Sequence, residues 1–369
     1  MFDLKLPKLG FGLMRLPQNG DQIDIQQLCK MVDKYMEAGL NYFDTAFMYH
    51  NGESEIAICE ALVKRYPRED FFLVDKLPIW LTTPEFDKEQ LFQKQLSKTG
   101  VEYFDLYLLH SMDENRYKVC EKEDCFNWAL KKKEEGKIKH FGISFHGTAQ
   151  ALDEILTKHP EIEIVQIQLN YADWDNPVVQ SGKCYEVLRK HNKPILVMEP
   201  VKGGLLASGS AKVEKMMKDY SDGSMASWAL RFAASLPNVV TVLSGMSNEE
   251  QMLDNLNTMT HFKKMNQEEF DILGKVIEIL VNEKKVGCTD CKYCMDKCPM
   301  GIQIPEIFKL LNVNRVNKND WLAKRSYDSS INEKASSCLK CGACESVCPQ
   351  HLNIIELLEE AKECFEGEN

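Results

Sequence analysis

Short apolar runs recur along the first 285 residues, and stretches with helical periodicity separate them. Eight runs are predicted as strands: Leu9–Arg15, Tyr42–Thr45, Phe71–Lys76, Asp105–His110, Lys139–Ser144, Ile164–Leu169, Ile195–Glu199 and Val239–Ser244. Each is short and largely apolar, which is typical of a strand buried on both faces of a parallel sheet.

The intervening segments have the pattern of amphipathic helices. In the first of them Ile25, Leu28, Val32 and Met36 recur three or four positions apart, together with Cys29. Glycines stand where the helices are expected to end, at Gly39, Gly100 and Gly136. Eight such units in about 250 residues match the count and length of a (β/α)8 TIM barrel. A doubly wound sheet is the alternative, but no GxGxxG phosphate loop occurs, and the barrel is favoured.

Charge and hydropathy narrow the range of partners. The net charge of −11 disfavours a nucleic-acid or anionic-membrane partner, because both would require a basic face. The N-terminal stretch lacks the unbroken apolar run of a signal peptide, and no run of 18 apolar residues occurs. The sequence therefore predicts a cytoplasmic protein that binds neither nucleic acid nor membrane.

The 14 cysteines are unevenly distributed along the chain. Five fall in the first 285 residues and nine in the last 84. This change in composition predicts a domain boundary, with a barrel over residues 1–285 and a second domain over residues 286–369. In a reducing compartment such cysteines indicate metal binding or burial rather than disulfides.

Eight of the C-terminal cysteines form two copies of a CxxCxxCxxxCP run, the signature of bacterial ferredoxins with two [4Fe–4S] clusters. Three thiolates of each run reach one cluster, and the fourth, before proline, reaches the other. One predicted ligand set is Cys288, Cys291, Cys294 and Cys348, and the other is Cys338, Cys341, Cys344 and Cys298. Zinc is disfavoured because no histidine accompanies the eight thiolates at the usual spacing.

The two runs lie further apart than in a minimal ferredoxin, since Cys338 stands forty positions after Cys298. Ile304–Leu311, Asp320–Arg325 and Asn353–Cys364 have helical patterns. The second domain therefore resembles the α-helical ferredoxins, and its fold is expected to be small, α-helical and ferredoxin-like.

Four polar residues lie at or just after the ends of three successive predicted strands of the barrel: Asp44, Tyr49, Lys76 and His110. Catalytic groups of such barrels gather at the C-terminal ends of the strands. A buried ammonium next to a phenol is expected to lower the pKa of the phenol, and a carboxylate would keep the ammonium charged. A histidine could donate a hydrogen bond to a carbonyl oxygen. The four residues therefore predict a proton-transfer site.

The segments FDTAFMY, VDK and LYLLH resemble the aldo/keto reductase family, whose Asp, Tyr, Lys and His tetrad matches Asp44, Tyr49, Lys76 and His110. The resemblance covers roughly residues 5 to 260. It implies reduction of a carbonyl by hydride from a nicotinamide, with Tyr49 as the acid.

The resemblance also implies a nicotinamide site, from which this chain departs in part. Ser144 and Gln166 match the residues that hold the carboxamide, but Phe145 stands at the asparagine position, with His146 next to it. Met198 stands where an aromatic ring usually stacks on the nicotinamide.

The segment SGMSNEEQMLDNL, which begins at Ser244, resembles the family's phosphate and adenine segment, with Asp254 and Asn255 matching its acidic-Asn pair. Gly245 and Gln251 occupy the places of the basic residues that clamp a 2′-phosphate. The segment therefore favours NAD(H) over NADP(H).

Three hypotheses for the function follow. Hydride moves two electrons at once and each cluster accepts one, so coupling them calls for a carrier such as a flavin. In the first hypothesis the clusters exchange electrons with a carbonyl or alcohol site in the barrel, and a ferredoxin-type carrier is the outside partner. The second is an NAD(P)H-dependent carbonyl reductase with structural or redox-sensing clusters. The third is a redox-responsive regulatory protein with a relic site.

Overall fold

Eight parallel strands form a closed barrel in the computed structural model of the chain, which describes residues 5–82, 87–317 and 320–367. The strands are β1 Leu9–Gly12, β2 Tyr42–Asp44, β3 Phe72–Leu77, β4 Phe104–Met112, β5 Ile138–Phe145, β6 Ile164–Gln168, β7 Ile195–Met198 and β8 Val239–Ser244. Each strand pairs in parallel with its sequence neighbours, and β1 pairs with β8 to close the barrel. The predicted (β/α)8 fold is confirmed.

Seven of the eight strands differ from their predicted bounds by one to three residues, and only Val239–Ser244 agrees at both ends. β1 stops at Gly12 and continues as a 3-10 turn over Leu13–Arg15. β4 runs two residues beyond His110, to Met112. β7 stops at Met198, since Glu199 has φ of +55° and cannot continue a strand.

Helices connect the strands and fill the C-terminal region. They are α1 Ile25–Glu37, α2 Ser54–Ile58, α3 Lys88–Thr99, α4 Glu114–Lys122, α5 Cys125–Glu134, α6 Ala149–Lys158, α7 Ser181–Lys190, α8 Ala211–Lys218, α9 Met225–Ser235, α10 Glu249–Thr260, α11 Gln267–Glu283, α12 Tyr293–Lys297, α13 Ile304–Asn317, α14 Trp321–Ser330 and α15 Ile354–Glu366. A two-stranded antiparallel hairpin, Gln18–Asn19 with Gln22–Ile23, lies between β1 and α1. No helix among the described residues is long and apolar enough to cross a bilayer.

An apolar layer inside the barrel supports the polar residues at its C-terminal end. The layer includes Tyr42, Val74 and Leu108, which pack in one buried cluster. Side chains two positions apart on a strand share a face. Asp44, Lys76 and His110 each lie two residues beyond one of these three, so the pleat directs all three polar side chains to the same face as the apolar layer.

The chain forms two compact units, and each unit consists of two separate stretches of sequence. The first comprises residues 1–200 and 226–266, and the second comprises residues 201–225 and 267–369. The second unit therefore includes α8 and α11 as well as the cysteine-rich tail, and its core includes Ile304, Phe308 and Leu358. The domain boundary between residues 285 and 286 stays a prediction.

Candidate functional site

Lys76 lies at the centre of the polar layer and is fully buried. Its ammonium Nζ lies 2.5 Å from Oδ1 of Asp44, which is only 2% exposed, and donates to the carbonyl oxygen of Thr45 at 2.6 Å. A buried charge is tolerated only with a close counter-charge and further hydrogen bonds. The pair therefore keeps a charged lysine inside the barrel.

Tyr49 lies next to Lys76 and is carried by a strained turn. The ammonium of Lys76 donates to its phenolic oxygen at 3.4 Å and lies 4.9 Å from the ring centroid. The turn, Tyr49–Gly52, contains His50 at φ of +52° and Asn51 at φ of +55°, in the left-handed region. Side chains other than glycine adopt this conformation at a cost, and such strain is typical of functional sites.

The pKa of Tyr49 is shifted in the direction opposite to the predicted one. Burial and the Asp44 carboxylate raise the pKa of Tyr49 well above its usual value. The prediction that the ammonium would lower this pKa is therefore wrong for the site as a whole. Tyr49 holds its proton at neutral pH, which suits a proton donor.

His110 lies beside Tyr49, with ring centroids 6.1 Å apart and the rings edge to face. Burial lowers its pKa well below the usual value, so the imidazole is neutral at neutral pH. Among the described residues its buried Nδ1 has no hydrogen-bond partner. Trp80 lies against the same ring, with centroids 5.2 Å apart. Sequence reasoning missed Trp80, although its place in the loop after β3 is one where such barrels place site residues.

The predicted carboxamide residues occupy the next two strands. Gln166, 1% exposed, donates from Nε2 to Oδ2 of Asp44 at 3.0 Å, so its amide nitrogen supports the tetrad. The hydroxyl of Ser144 accepts from the backbone N–H of Ser111 at 2.7 Å. His146 follows β5 and is half-buried, as is Met198 at the end of β7.

The predicted phosphate segment follows β8. Asn255 is buried and donates to the hydroxyl of Ser244 at 2.9 Å, whereas Asp254 is half-buried. The side-chain oxygen of Gln251 accepts from the backbone N–H of Ser247 at 2.8 Å, so it is engaged in a hydrogen bond within its own segment.

Arg15 packs beside the same segment, and a Cβ added to Gly245 would lie 3.1 Å from the Cβ of Arg15. The guanidinium of Arg15 also lies 4.0 Å from the carboxylate of Glu199. Sequence reasoning did not single out Arg15 as a site residue, because it was placed inside the first strand.

The eight motif cysteines of the second unit line two separate cavities, of about 320 and 330 Å³ including space open to solvent. One cavity is lined by Cys288, Cys291, Cys294 and Cys348, and the other by Cys298, Cys338, Cys341 and Cys344. In each, three cysteines of one run meet the last cysteine of the other run, which is the crossed pattern expected from the spacing. No three His, Cys, Asp or Glu side chains of the described residues converge tightly enough to hold a single ion.

The two cavities differ in their surroundings. Ile304 lines both of them. Cys341 is exposed at the second cavity, whereas Cys294 is buried at the first. Thr289, which lines the first cavity, packs so closely on Gly203 that an added Cβ there would lie 2.5 Å from the Cα of Thr289. Only glycine fits this close approach, because Gly203 also has φ of +62°.

Two family profiles match the chain, one after the other along the sequence. The profile of the aldo/keto reductase family matches residues 8–278, and the profile of a 4Fe-4S dicluster domain matches residues 287–353. Uncharacterized oxidoreductase YqkF of Bacillus subtilis (strain 168) is 26% identical over 305 residues, covering 73% of this chain and 92% of that protein. The 9,11-endoperoxide prostaglandin H2 reductase of Trypanosoma cruzi is 22% identical over 298 residues, covering 77% and 91%.

Solved structures are similar in fold. An aldo-keto reductase from Klebsiella pneumoniae in complex with NADPH superposes with a TM-score of 0.57 at 20% identity, covering 74% of this chain and 91% of that one. The holo form of aldo-keto reductase AKR11C1 from Bacillus halodurans has a TM-score of 0.57 at 23% identity, covering 74% and 93%. The expected resemblance, a barrel of this family followed by a 4Fe-4S domain, is confirmed.

Proposed function

The chain belongs to the aldo/keto reductase family and is an oxidoreductase, and we propose that it interconverts a small carbonyl compound and its alcohol at Asp44, Tyr49, Lys76 and His110. The observation that carries the proposal is the buried ammonium of Lys76, which lies 2.5 Å from Asp44 and 3.4 Å from the phenol of Tyr49. This arrangement places a protonated phenol beside a fixed positive charge.

Each residue of the site has a separate role in the reduction. Tyr49 donates its phenolic proton to the carbonyl oxygen, and the ammonium of Lys76 stabilises the phenolate that remains. Asp44 holds that ammonium in place, and Gln166 donates to the other oxygen of Asp44. Neutral His110 donates a hydrogen bond that orients the carbonyl oxygen. Tyr49 then recovers a proton from solvent, and the steps run in reverse for an alcohol.

A nicotinamide would supply the hydride that adds to the carbonyl carbon. The buried polar groups of Ser144, Ser244 and Asn255 are suited to hold one, and the similar Klebsiella pneumoniae structure contains NADPH. NADH is favoured for this chain over NADPH. The place of a phosphate-clamping base is held by Gln251, whose amide oxygen already accepts from Ser247.

Two [4Fe–4S] clusters would supply one-electron transfer in the second unit, and we assign their ligands as the two crossed sets of four cysteines. The fit rests on the donor sets, since each cavity is lined by four thiols. Eight ligands in two adjacent sites exceed what a structural staple requires. The electron path therefore stands ahead of structural or sensing clusters, with a ferredoxin-type protein as the outside partner.

The proton-transfer role is tested with Tyr49→Phe, which removes the hydroxyl and keeps the ring. We expect kcat for small aldehydes to fall by about 10²- to 10⁴-fold, the usual contribution of general acid catalysis, while NADH binding by fluorescence quenching stays unchanged. The matched control is Tyr66→Phe, since the hydroxyl of Tyr66 bonds Asp33 instead. Full activity in Tyr49→Phe would contradict the role and would favour a relic site.

The electron path is tested on protein with anaerobically reconstituted clusters. Visible spectra are recorded with NADH, with NADPH and with a reduced ferredoxin, each with and without FMN or FAD. Bleaching by NADH only after flavin is added would support the path through a flavin. Unchanged catalysis in a folded protein with Cys291→Ser and Cys341→Ser would exclude the path and leave an NAD(P)H-dependent reductase with structural or sensing clusters.

A further inference from the structure

Two carboxylic side chains are buried together just behind Lys76, outside the proton-transfer site. Glu55 lies in α2 and Asp75 in β3, and both are 0% exposed. A hydrogen bond between their side chains is among the causes that raise the pKa of Asp75. Each has one oxygen, Oε1 of Glu55 and Oδ2 of Asp75, with no hydrogen-bond partner in the part of the chain that the structure describes.

The other oxygen of each acid is fully engaged. Oε2 of Glu55 accepts from the ammonium of Lys98 at 2.6 Å. Oδ1 of Asp75 accepts from the backbone N–H of Lys76 at 2.7 Å and from the side chain of Gln95 at 2.8 Å. The two partnerless oxygens are therefore both acceptors in a place that offers no donor, and one proton between them would satisfy both.

The network that contains this pair connects the two catalytic groups. Lys98 also donates to the carbonyl oxygen of Gly52, which ends the strained turn that carries Tyr49. On the other side, Gln95 donates to the carbonyl oxygen of Lys76 at 3.0 Å. The turn that bears the phenol and the strand that bears the ammonium are thus tied to opposite ends of the same pair of acids.

We propose that Glu55 and Asp75 share one proton, and that this proton fixes the spacing of Tyr49 and Lys76, which makes both acids positioning residues. The inference rests on the proposed function only for the identity of those two groups. One proton leaves the pair with a single negative charge, which the ammonium of Lys98 balances. A second negative charge at this site would lie buried without a counter-ion.

The charged and titratable groups around the pair agree with a held proton. Lys98 faces it from α3, Lys76 adjoins it on β3, and Tyr107 of β4 donates to Oε1 of Gln95 at 2.5 Å. Burial, and then the charge of Glu55, raise the pKa of Asp75 well above its usual value. An unfolded aspartate loses its proton near pH 4. The contribution to stability is therefore complete below about pH 4 and is lost as pH rises towards the raised folded value.

Amide substitutions test for the shared proton without changing shape. In Asp75→Asn the new amide nitrogen takes the place of the protonated oxygen and donates to Glu55, and in Glu55→Gln the amide donates to an ionised Asp75. Each single variant should fold with a near-native denaturation midpoint, and Asp75→Asn should abolish the pH-dependent loss of stability. In the double variant two NH2 groups face each other, because Lys76 and Lys98 fix both amide oxygens, and its midpoint should fall far below the sum of the single changes.

Infrared spectroscopy of the full chain reads the proton directly. We expect a protonated-carboxyl band at neutral pH in the wild type, and its loss in both Asp75→Asn and Glu55→Gln. The control Glu60→Gln, which changes an exposed acid that pairs with Lys64, should keep the band. Absence of the band in the wild type, or its persistence in both single variants, would overturn the proposal. So would a double variant as stable as the single ones.

Measurements of kcat and KM distinguish a positioning role of the two acids from an effect on stability alone. The double variant, where it folds, should lose on the order of 100-fold in kcat, the cost of about 1 Å of misplacement, with little change in KM, and either single variant should retain most activity. A kcat equal to that of the wild type in the folded double variant would overturn the positioning role. Failure of the wild type to reduce any carbonyl would refute the proposed function, whereas the infrared band does not depend on it.

Discussion

Replacing Lys76 by methionine isolates the contribution of the buried ion pair. Methionine keeps the length of the side chain and removes the charge. It leaves the carboxylate of Asp44, 2% exposed, without the ammonium 2.5 Å away, and the carbonyl of Thr45 loses its 2.6 Å partner. The amide of Gln166 stays on Asp44 and compensates in part.

The size of the effect follows from these contacts. Removing one partner of a buried pair costs about 3–5 kcal/mol, and Gln166 places this site near the lower end. The lost bond to Thr45 adds about 1 kcal/mol. A total near 4 kcal/mol, at a slope of about 3 kcal/mol per molar urea, shifts the unfolding midpoint by on the order of 1 M.

Urea unfolding, followed by circular dichroism, measures this shift. Adding Asp44→Asn removes the unpaired charge and should restore at least half of the loss. The control is Lys64→Met, which breaks an exposed pair with Glu60 and should leave the midpoint nearly unchanged. A Lys76→Met deficit no larger than that of the control, or a double variant as unstable as the single one, would refute the reasoning.

Three further outcomes can be checked independently. Burial lowers the pKa of His110 well below its usual value, so kcat/KM should stay level from about pH 8 to about pH 6. A break in the pH profile near pH 6.5 that disappears in His110→Gln would contradict the neutral state of His110. Gly203→Ala should destabilise the second unit more than Gly301→Ala does, as measured by hydrogen exchange. Their φ angles are +62° and +67°, but only the first Cβ meets backbone atoms within 4 Å, and equal effects would exclude the clash. Cys291→Ser and Cys348→Ser should remove iron from the same cluster, as measured by electron paramagnetic resonance. Different residual spectra would contradict the crossed ligand sets, because in uncrossed sets the two cysteines bind different clusters.

Sequence pattern predicted the barrel because each strand is a short apolar run between amphipathic helices. It also brought together Asp44, Tyr49 and Lys76, since the carboxyl ends of parallel strands share one edge. The strand ends were less accurate. The left-handed conformation of Glu199, which stops β7, comes from a local backbone fold that no periodicity encodes.

Contacts between distant elements could not be predicted in this way. Nothing in the runs around Glu55 and Asp75 indicates that a helix and a strand bring the two acids together. Gln166 was expected to bind a carboxamide, and its bond to Asp44 depends on the closure of the barrel. The upward shift of the pKa of Tyr49 could not be predicted for the same reason. It comes mainly from burial in the folded protein, whereas the sequence draws attention only to the neighbouring charge.

The second unit is assembled from two stretches of chain that are synthesised at different times. Residues 201–225 leave the ribosome before residues 267–369, with the β8 and α10 segment made between them. The earlier stretch must therefore wait for its packing partners, and a truncation after residue 285 would leave α8 and α11 without the cysteine-rich core of their unit. The second unit is consequently completed only when its last segment, residues 267–369, packs with residues 201–225, which follow β7 in the sequence.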